Sequence, residues 1–329
     1  MEFNIFSYKN QLVFAVTKIR DIVKSFFSYI YLMKDFCILT TVGVKFKTRV
    51  SGAELSSFKS GGTVPLVFFP ETAGQVIRLF KVLKNTPVKY RILGGGTNTL
   101  IGDKGFDGII VCLKDFKNCA VKGKIMETDA GTAMPRLAYA AAQEGLSGFE
   151  FASGIPGSVG GGVYMNAGAY GEDIAGVILY ADVYDIRKDE IIRFKKEELK
   201  LSYRRSRFSG GDGNELILRA AFELKEGDID SVKEKMRRFK KKRADNQPKE
   251  PSLGSTFRRF EEVIPAVLID KAGLKGYNIG GACVSAKHAG FIVNIGNAKS
   301  SDYAAVMNRV KEIVSNKYGV ELTPEIELL

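Results

Sequence analysis

The chain has 329 residues, too many for one ordinary core, and a prior of about 150 residues per domain gives two or three domains. Apolar residues make up 45% and charged residues 26%, the balance of a globular protein, and the net charge is +12. That charge leaves nucleic acid, an acidic membrane surface or anionic small molecules as partners. One histidine and four cysteines without a CxxC pair argue against a His-rich metal site, an imidazole relay and a disulfide framework.

Residues 1–40 carry apolar side chains interrupted by Lys9, Lys18, Arg20, Lys24 and Lys34. No run approaches the roughly 20 apolar residues that span a bilayer, and no small-residue cleavage site follows. The favoured reading is a basic amphipathic helix packed on the protein, with membrane-surface contact next and a natural start at Met33 as a third reading. Val64–Phe69, an apolar run ended by Pro70, is predicted as a strand. A helical stripe follows over Glu71–Leu83, with Thr72 as N-cap. Tyr90–Leu93 and Gly108–Leu113 are predicted strands, completing an α/β pattern. Met134–Gly145 is an Ala-rich helix closed by Gly145. Val177–Ile186 and Ile191–Phe194 read as a hairpin and Leu216–Leu224 as a further strand. Asp228–Lys242 is a charged helix whose basic end, Arg237–Arg243, is expected to be solvated near the negative pole of the helix. Helix, strand and helix follow over Ala266–Ala272, Gly290–Ile295 and Ser301–Lys317, the last capped by Ser300 or Ser301 with Asp302. Cys112 and Cys283 lie in strand-like runs and are expected as buried thiols.

Two glycine clusters stand out. Gly94-Gly95-Gly96-Thr97-Asn98-Thr99 follows a predicted strand, and Gly154–Gly171 holds seven glycines in eighteen residues. Neither fits GxGxxG opening a helix or GxxxxGK[ST]. The first suits an anion-binding nest or a tight turn. The second exceeds what a turn needs, and Asn166, Tyr164 and Tyr170 add groups suited to a heteroaromatic ring. The pair points to a bound nucleotide-type cofactor.

From Leu55 onward, ordered segments carry a resemblance: LSSFKSGGT (55–63), ILGGGTNTLIGDKGFDG (92–108), GIPGSVGGGVYMNAGAYGED (154–173), SYRRS (202–206), QPKEPSLGSTF (247–257), LIDKAGLKGYNIGGACVSAKHAGFIVN (268–294) and YGVELTPEIELL (318–329). They resemble the UDP-N-acetylenolpyruvoylglucosamine reductases, FAD enzymes that form UDP-N-acetylmuramate for peptidoglycan, in their shorter subclass. The resemblance implies an α+β fold. A two-subdomain FAD-binding module of the vanillyl-alcohol-oxidase type would cover 41–226, with subdomains of about 41–118 and 119–226, the first also receiving 318–329. A C-terminal α/β substrate-binding domain would cover 227–317. It further implies a cytoplasmic enzyme with FAD as cofactor, NADPH as hydride donor and UDP-N-acetylglucosamine enolpyruvate as substrate, and no nucleic acid, metal or transmembrane segment.

On the motif positions, the resemblance makes Ser255 the proton donor, Arg204 the group holding the carboxylate and enolate, and Glu325 the active-site acid. Tyr203 is a candidate substrate contact, and Arg205 and Arg207 are expected to face solvent. The cofactor would be held by Gly94, Gly95, Gly96, Thr97, Asn98, Thr99, Gly154, Ile155, Pro156, Gly157, Ser158, Val159, Gly161, Asn166 and Gly168. A serine is a weak acid in water and needs a charge-stabilising partner; a planar guanidinium suits a carboxylate better than lysine does. Two departures stand out. Arg258-Arg259-Phe260 replaces the usual Lys-Asn-Pro or Lys-Arg-Pro, with an altered loop to Val267, and Leu55-Ser56-Ser57-Phe58 replaces Tyr-Thr-Thr-Phe. An FAD-linked oxidase of another substrate would have no reason to keep Arg204, Ser255 and Glu325 together. A non-catalytic flavin or nucleotide binder is favoured only by the altered loop.

Overall fold

The computed structural model describes residues 43–260 and 263–329. The expectation for residues 1–40, and Cys37 with it, lies outside them.

The first layer is a mixed sheet of β1 (Lys45–Ser51), β2 (Thr63–Phe69), β3 (Tyr90–Leu93) and β5 (Ile109–Cys112), in the order β1-β2-β5-β3. Helix α1 (Ala73–Leu83) crosses between β2 and β3, capped by the Thr72 hydroxyl accepting from Gln75 N–H. That crossover lets β2, β5 and β3 run parallel. β5 is buried at every position and reads accordingly as a continuous apolar run. The two-residue β4 (Thr99–Leu100) follows the first glycine cluster.

The second layer is an antiparallel sheet formed by β6 (Cys119–Lys122), β7 (Ile125–Asp129), β8 (Ile178–Asp185), β9 (Glu190–Lys195) and β10 (Glu215–Glu223), in the order β9-β8-β10-β7-β6. The expected hairpin is β8–β9, in register from Tyr180–Lys195 to Asp185–Glu190. Between β7 and β8 lie α2 (Met134–Gln143) and the glycine-rich α3 (Val159–Met165).

Helix α4 (Ile229–Asn246) has Asp228 as N-cap and one stripe facing the protein: Val232, Lys235, Met236, Phe239 and Arg243. This corrects the expectation of a wholly solvated basic end. Arg237, Arg238, Lys240 and Lys241 are exposed, but Phe239 stacks on Tyr170 with ring centres 4.3 Å apart and Arg243 is turned inward. A 3.6-residue period puts positions 232, 236, 239 and 243 on one face.

The C-terminal part carries β11 (Ser252–Ser255), α5 (Pro265–Lys271), β12 (Asn278–Ile279), β13 (Ala282–Val284), β14 (Phe291–Asn294) and α6 (Ser300–Tyr318). Its sheet order is β11-β14-β13-β12. The N-cap of α6 is Lys299 rather than Ser300 or Ser301; Asp302 accepts from the Lys299 N–H, while Asp103 accepts from the N–H groups of Ser300 and Ser301. A carboxylate there satisfies orphan donors and opposes the positive helix end. The core beneath α6 includes Val306, Val310 and Val314, with Phe58 and Leu100 from the first layer. The chain ends in β15 (Glu327–Leu328), paired in parallel with β4. Ser57 Oγ donates to the Ser252 carbonyl and Asn294 Nδ2 to the Phe58 carbonyl. These bonds hold the C-terminal sheet against the first layer. Cys112 is buried as expected; Cys283 is half-buried, because β13 packs one face only, and no described cysteine is bridged.

Candidate active site

The two glycine clusters touch. A Cβ on Gly94 would overlap the Ser158 hydroxyl, and one on Gly95 would lie 3.2 Å from the Gly157 Cα. Thr97 Oγ1 donates to the Pro156 carbonyl at 3.2 Å. Glycine at 94 leaves room for the Ser158 side chain, glycine at 95 lets the Gly157 backbone approach, and Gly157, at φ +137, needs a conformation L side chains rarely adopt. Together they wall a cavity of about 1090 Å³.

Gly94–Thr99, Ile155–Ser158, Gly161 and Gly168 line this cavity as expected of cofactor-holding residues. Gly154, Val159 and Asn166 do not. Val159 is fully buried with its N–H on the Thr132 carbonyl, and Gly154 backs onto the Arg243 side chain. Asn166 is buried, in a left-handed turn, and donates to Asp173 Oδ2 and the Ser202 carbonyl while accepting from Ala175 N–H. Both its amide hydrogens hold protein, so it fixes the loop under the site. Tyr170 is likewise committed: its ring stacks on Phe239 and its hydroxyl donates to the Phe239 carbonyl. Among the described residues, the amides of Gly95, Gly96, Thr97, Gly157 and Ser158 donate to no backbone acceptor, and these residues line the cavity. Clustered free N–H groups fit a pyrophosphate.

A second cavity of about 460 Å³ adjoins the first and is lined by Asn166, Tyr203, Arg259, Ile264 and His288. Arg204, Ser255 and Glu325 line both. Two local devices bring them together. Tyr203 and Arg204 form the tip of a tight turn closed by reciprocal Ser202–Arg205 backbone bonds, with Arg204 at φ +54. Phe257 pairs with Pro324 as an antiparallel bridge, and Glu325 N–H donates to the Thr256 carbonyl at 2.8 Å. This lays the Ser255 strand beside the Glu325 segment. Asn98 Nδ2 then binds the Glu325 carbonyl at 3.0 Å, joining the first glycine cluster to that segment.

Arg204 Nε meets Glu325 Oε1 at 3.0 Å, and its Nη atoms donate to the Asn166 and Gly168 carbonyls. Burial pushes the Glu325 carboxyl above the usual carboxylate range, although Arg204 and then Arg258 pull the other way. The site therefore offers a fixed guanidinium, a carboxyl whose proton affinity burial raises, and the exposed Ser255 hydroxyl on one wall. Tyr203 is exposed at the rim, with the Arg204 guanidinium 5.3 Å from its ring centre. Arg205 is exposed, but Arg207 is not: it pairs with Glu215 at 2.8 Å and lies over Phe194, because its stem packs on β9. His288 Nδ1 accepts from Gly290 N–H, leaving Nε2 to carry the proton of the neutral ring, and burial lowers its pKa.

Sequence reasoning missed Arg243. It lines the larger cavity, makes no ion pair with a described residue, and burial lowers its pKa. The signal was its place on the apolar stripe of α4.

Residues 64–195 match the family model of an FAD binding domain, and 247–329 match the UDP-N-acetylenolpyruvoylglucosamine reductase C-terminal domain. The class is thereby defined: the protein is an FAD-dependent oxidoreductase, with the expected α+β fold of an FAD-binding module and a C-terminal domain. A UDP-N-acetylenolpyruvoylglucosamine reductase of Caldanaerobacter subterraneus subsp. tengcongensis is 40% identical over 275 residues, 83% of this chain and 90% of that protein. One of Rubrobacter xylanophilus is 39% identical, covering 83% and 92%. The crystal structure of the Thermus caldophilus reductase superposes with a TM-score of 0.73 at 30% identity, covering 87% of this chain and 98% of that one. The chain belongs to the UDP-N-acetylenolpyruvoylglucosamine reductase family. No helix among the described residues is long and apolar enough to cross a membrane.

Proposed function

We propose that this protein uses NADPH and FAD to reduce UDP-N-acetylglucosamine enolpyruvate to UDP-N-acetylmuramate, a cytoplasmic step of peptidoglycan precursor synthesis. The observation that carries the reading is the Arg204–Glu325 ion pair on the wall shared by the two cavities, with Ser255 on the same wall. FAD, when bound, supplies the two-electron chemistry between NADPH and the enolpyruvyl double bond. Arg204 receives the substrate carboxylate and stabilises the enolate charge that develops on it. Ser255 Oγ–H gives its proton to C2, and Glu325, whose proton affinity burial raises, relays a proton back to it. Tyr203 and Arg259 flank the entry of the smaller cavity, where the UDP portion would lie, and Arg243 offers a desolvated cation to a phosphate on the cofactor side. The same reading assigns 41–226 to cofactor and 227–317 to substrate, with the segment after residue 317 returning to the cofactor module.

The test is to purify the protein, record a flavin spectrum, and add NADPH with and without the UDP-enolpyruvyl sugar. NADPH should bleach the flavin and the sugar should restore it. Ser255→Ala should spare bleaching and slow recovery by about 10²–10⁴-fold, the usual contribution of general acid catalysis. Bleaching without sugar-dependent recovery would sink the reaction assignment. Equal slowing of both steps would remove Ser255 as proton donor.

A further inference from the structure

The segment beneath Arg204 is a hairpin. Gly168–Ala169 pairs antiparallel with Glu172–Asp173, and Tyr170 and Gly171 form its two-residue turn at φ +61 and +85. Positive φ at both places is what a type I′ turn demands, and Asn or Gly usually supplies it. A tyrosine there holds a backbone conformation that bulky side chains disfavour. Helix α4 grips this tip. The Tyr170 ring lies on Phe239 with centres 4.3 Å apart and planes 9° apart, and its hydroxyl donates to the Phe239 carbonyl at 2.9 Å. Lys242 lies over the Tyr170 ring and Lys235 over the Phe239 ring, each 5.6 Å from the centre. Lys235 also meets Glu172 Oε1 at 2.8 Å and the buried Glu150 at 3.6 Å. Phe239 and Lys235 line neither cavity.

At its base the hairpin meets Arg204. The Gly168 carbonyl accepts from Nη2 at 3.2 Å and the Asn166 carbonyl from Nη1 at 3.4 Å, while Nε faces Glu325. Asn166 Nδ2 ties Asp173, the residue paired with Gly168, to the Ser202 carbonyl in the Arg204 turn. A guanidinium is planar, so carbonyls on two of its nitrogens set the direction of the third. We propose that α4 positions the catalytic arginine: Phe239 and Lys235 hold hairpin 168–173, whose base aims Arg204 at Glu325 and at the substrate carboxylate. The proposal rests on the reading above that Arg204 receives that carboxylate. Phe239 is thus a positioning residue, which acts on the reaction through Tyr170 and the hairpin.

The experiment uses the FAD-loaded full chain with Phe239→Ala, which removes the ring, and Phe239→Tyr, which keeps it. Flavin bleaching by NADPH and recovery with the UDP-enolpyruvyl sugar are timed separately. NADPH brings no carboxylate to Arg204, so Phe239→Ala should bleach at the wild-type rate. Its recovery should slow by about 10–10²-fold, the scale of a misplacement of about 1 Å, and Phe239→Tyr should recover normally. Calorimetry on the oxidised protein adds a readout without turnover. The preference for the enolpyruvyl sugar over UDP-N-acetylglucosamine, which lacks the carboxylate, should fall about tenfold in Phe239→Ala, the worth of one charge-assisted hydrogen bond. A purely structural role would lower FAD retention and slow both steps alike. Unchanged recovery in a folded Phe239→Ala, equal slowing of both steps, an unchanged preference, or slow recovery in Phe239→Tyr overturns the proposal. Should Phe239→Ala not fold, Phe239→Leu, which keeps bulk without the flat ring, is judged by the same outcomes. A wild-type flavin that the sugar never reoxidises would instead refute the reading on which the proposal stands.

Discussion

Replacing Arg204 by methionine keeps much of the side-chain volume and removes the charge that faces Glu325. The pair is largely withdrawn from water, with the Arg204 and Glu325 side chains 24% and 14% exposed. Removing one partner of a fully buried pair costs about 3–5 kcal/mol because the other charge is stranded. Here two features limit the loss. The site borders open cavities and Arg258 remains nearby, and the stranded carboxyl can take up a proton. Holding a proton on an ordinary carboxyl at about pH 7.5 costs about 4 kcal/mol, which caps the penalty. Allowing roughly half of that for residual exposure and Arg258 gives a destabilisation of about 2 kcal/mol at about pH 7.5.

The pH dependence follows from the sign of the shift. Burial already raises the Glu325 pKa, and loss of Arg204 removes the main opposing charge. Above the unfolded carboxyl pKa, the unfolded chain releases this proton while the folded variant keeps it. The unfolding free energy of the variant therefore falls, relative to wild type, as pH rises, and recovers as pH falls toward the ordinary carboxylate range. Urea unfolding at about pH 7.5 and about pH 5.5 should show a gap of about 2 kcal/mol shrinking to about 1 kcal/mol or less. The double variant Arg204→Met/Glu325→Gln should recover most of the loss at the higher pH, since no charge is then stranded. A gap unchanged between the two pH values, with no recovery in the double variant, would refute the reasoning.

Gly94→Ala places a methyl group on the Ser158 hydroxyl, which caps α3 by accepting from Gly161 N–H. Loss of the cap and local overpacking together should cost about 1–3 kcal/mol in thermal or urea unfolding and reduce the FAD retained on purification. Full occupancy with unchanged stability would contradict the close packing of Ser158 against Gly94. His288 has its pKa lowered by burial, opposed by a hydrogen bond to its own backbone and aided by Lys275 and Arg259. As pH falls through its ordinary range, the unfolded chain gains a proton that the folded one resists, so stability drops. His288→Asn should flatten the melting-temperature profile between about pH 6.5 and about pH 5, and an equally steep profile would rule out His288 as its source.

Much of the secondary structure was legible locally. Val64–Phe69, the Thr72-capped helix and the β8–β9 hairpin declare themselves through period, cap and alternation, which act over a few residues. The site was legible as motifs, with Arg204, Ser255 and Glu325 each in a short recognisable run and the two glycine clusters marking a cofactor. What those clusters do physically was not legible. Gly94 is small because Ser158 and Gly157, some sixty residues away, lie against that loop. Asn166 and Tyr170 look like ring contacts in sequence, yet their polar atoms are consumed by Asp173, Ser202, Ala175 and Phe239.

The same division holds for charge. A run of arginine and lysine at the end of α4 is by composition a solvated face. Only the docking of Val232, Met236 and Phe239 turns Arg243 inward, because one helical stripe must face the protein while the rest stays in water. Likewise the spacing of Glu325 and Glu327 is visible in the last residues. Which of them meets Arg204 depends on the Phe257–Pro324 bridge and the β4–β15 pairing. The sequence by itself determined the element types, the family and the residue chemistry. The tertiary structure alone decided which polar groups remain free for a ligand, since hydrogen bonds and burial are settled by partners far apart in the chain.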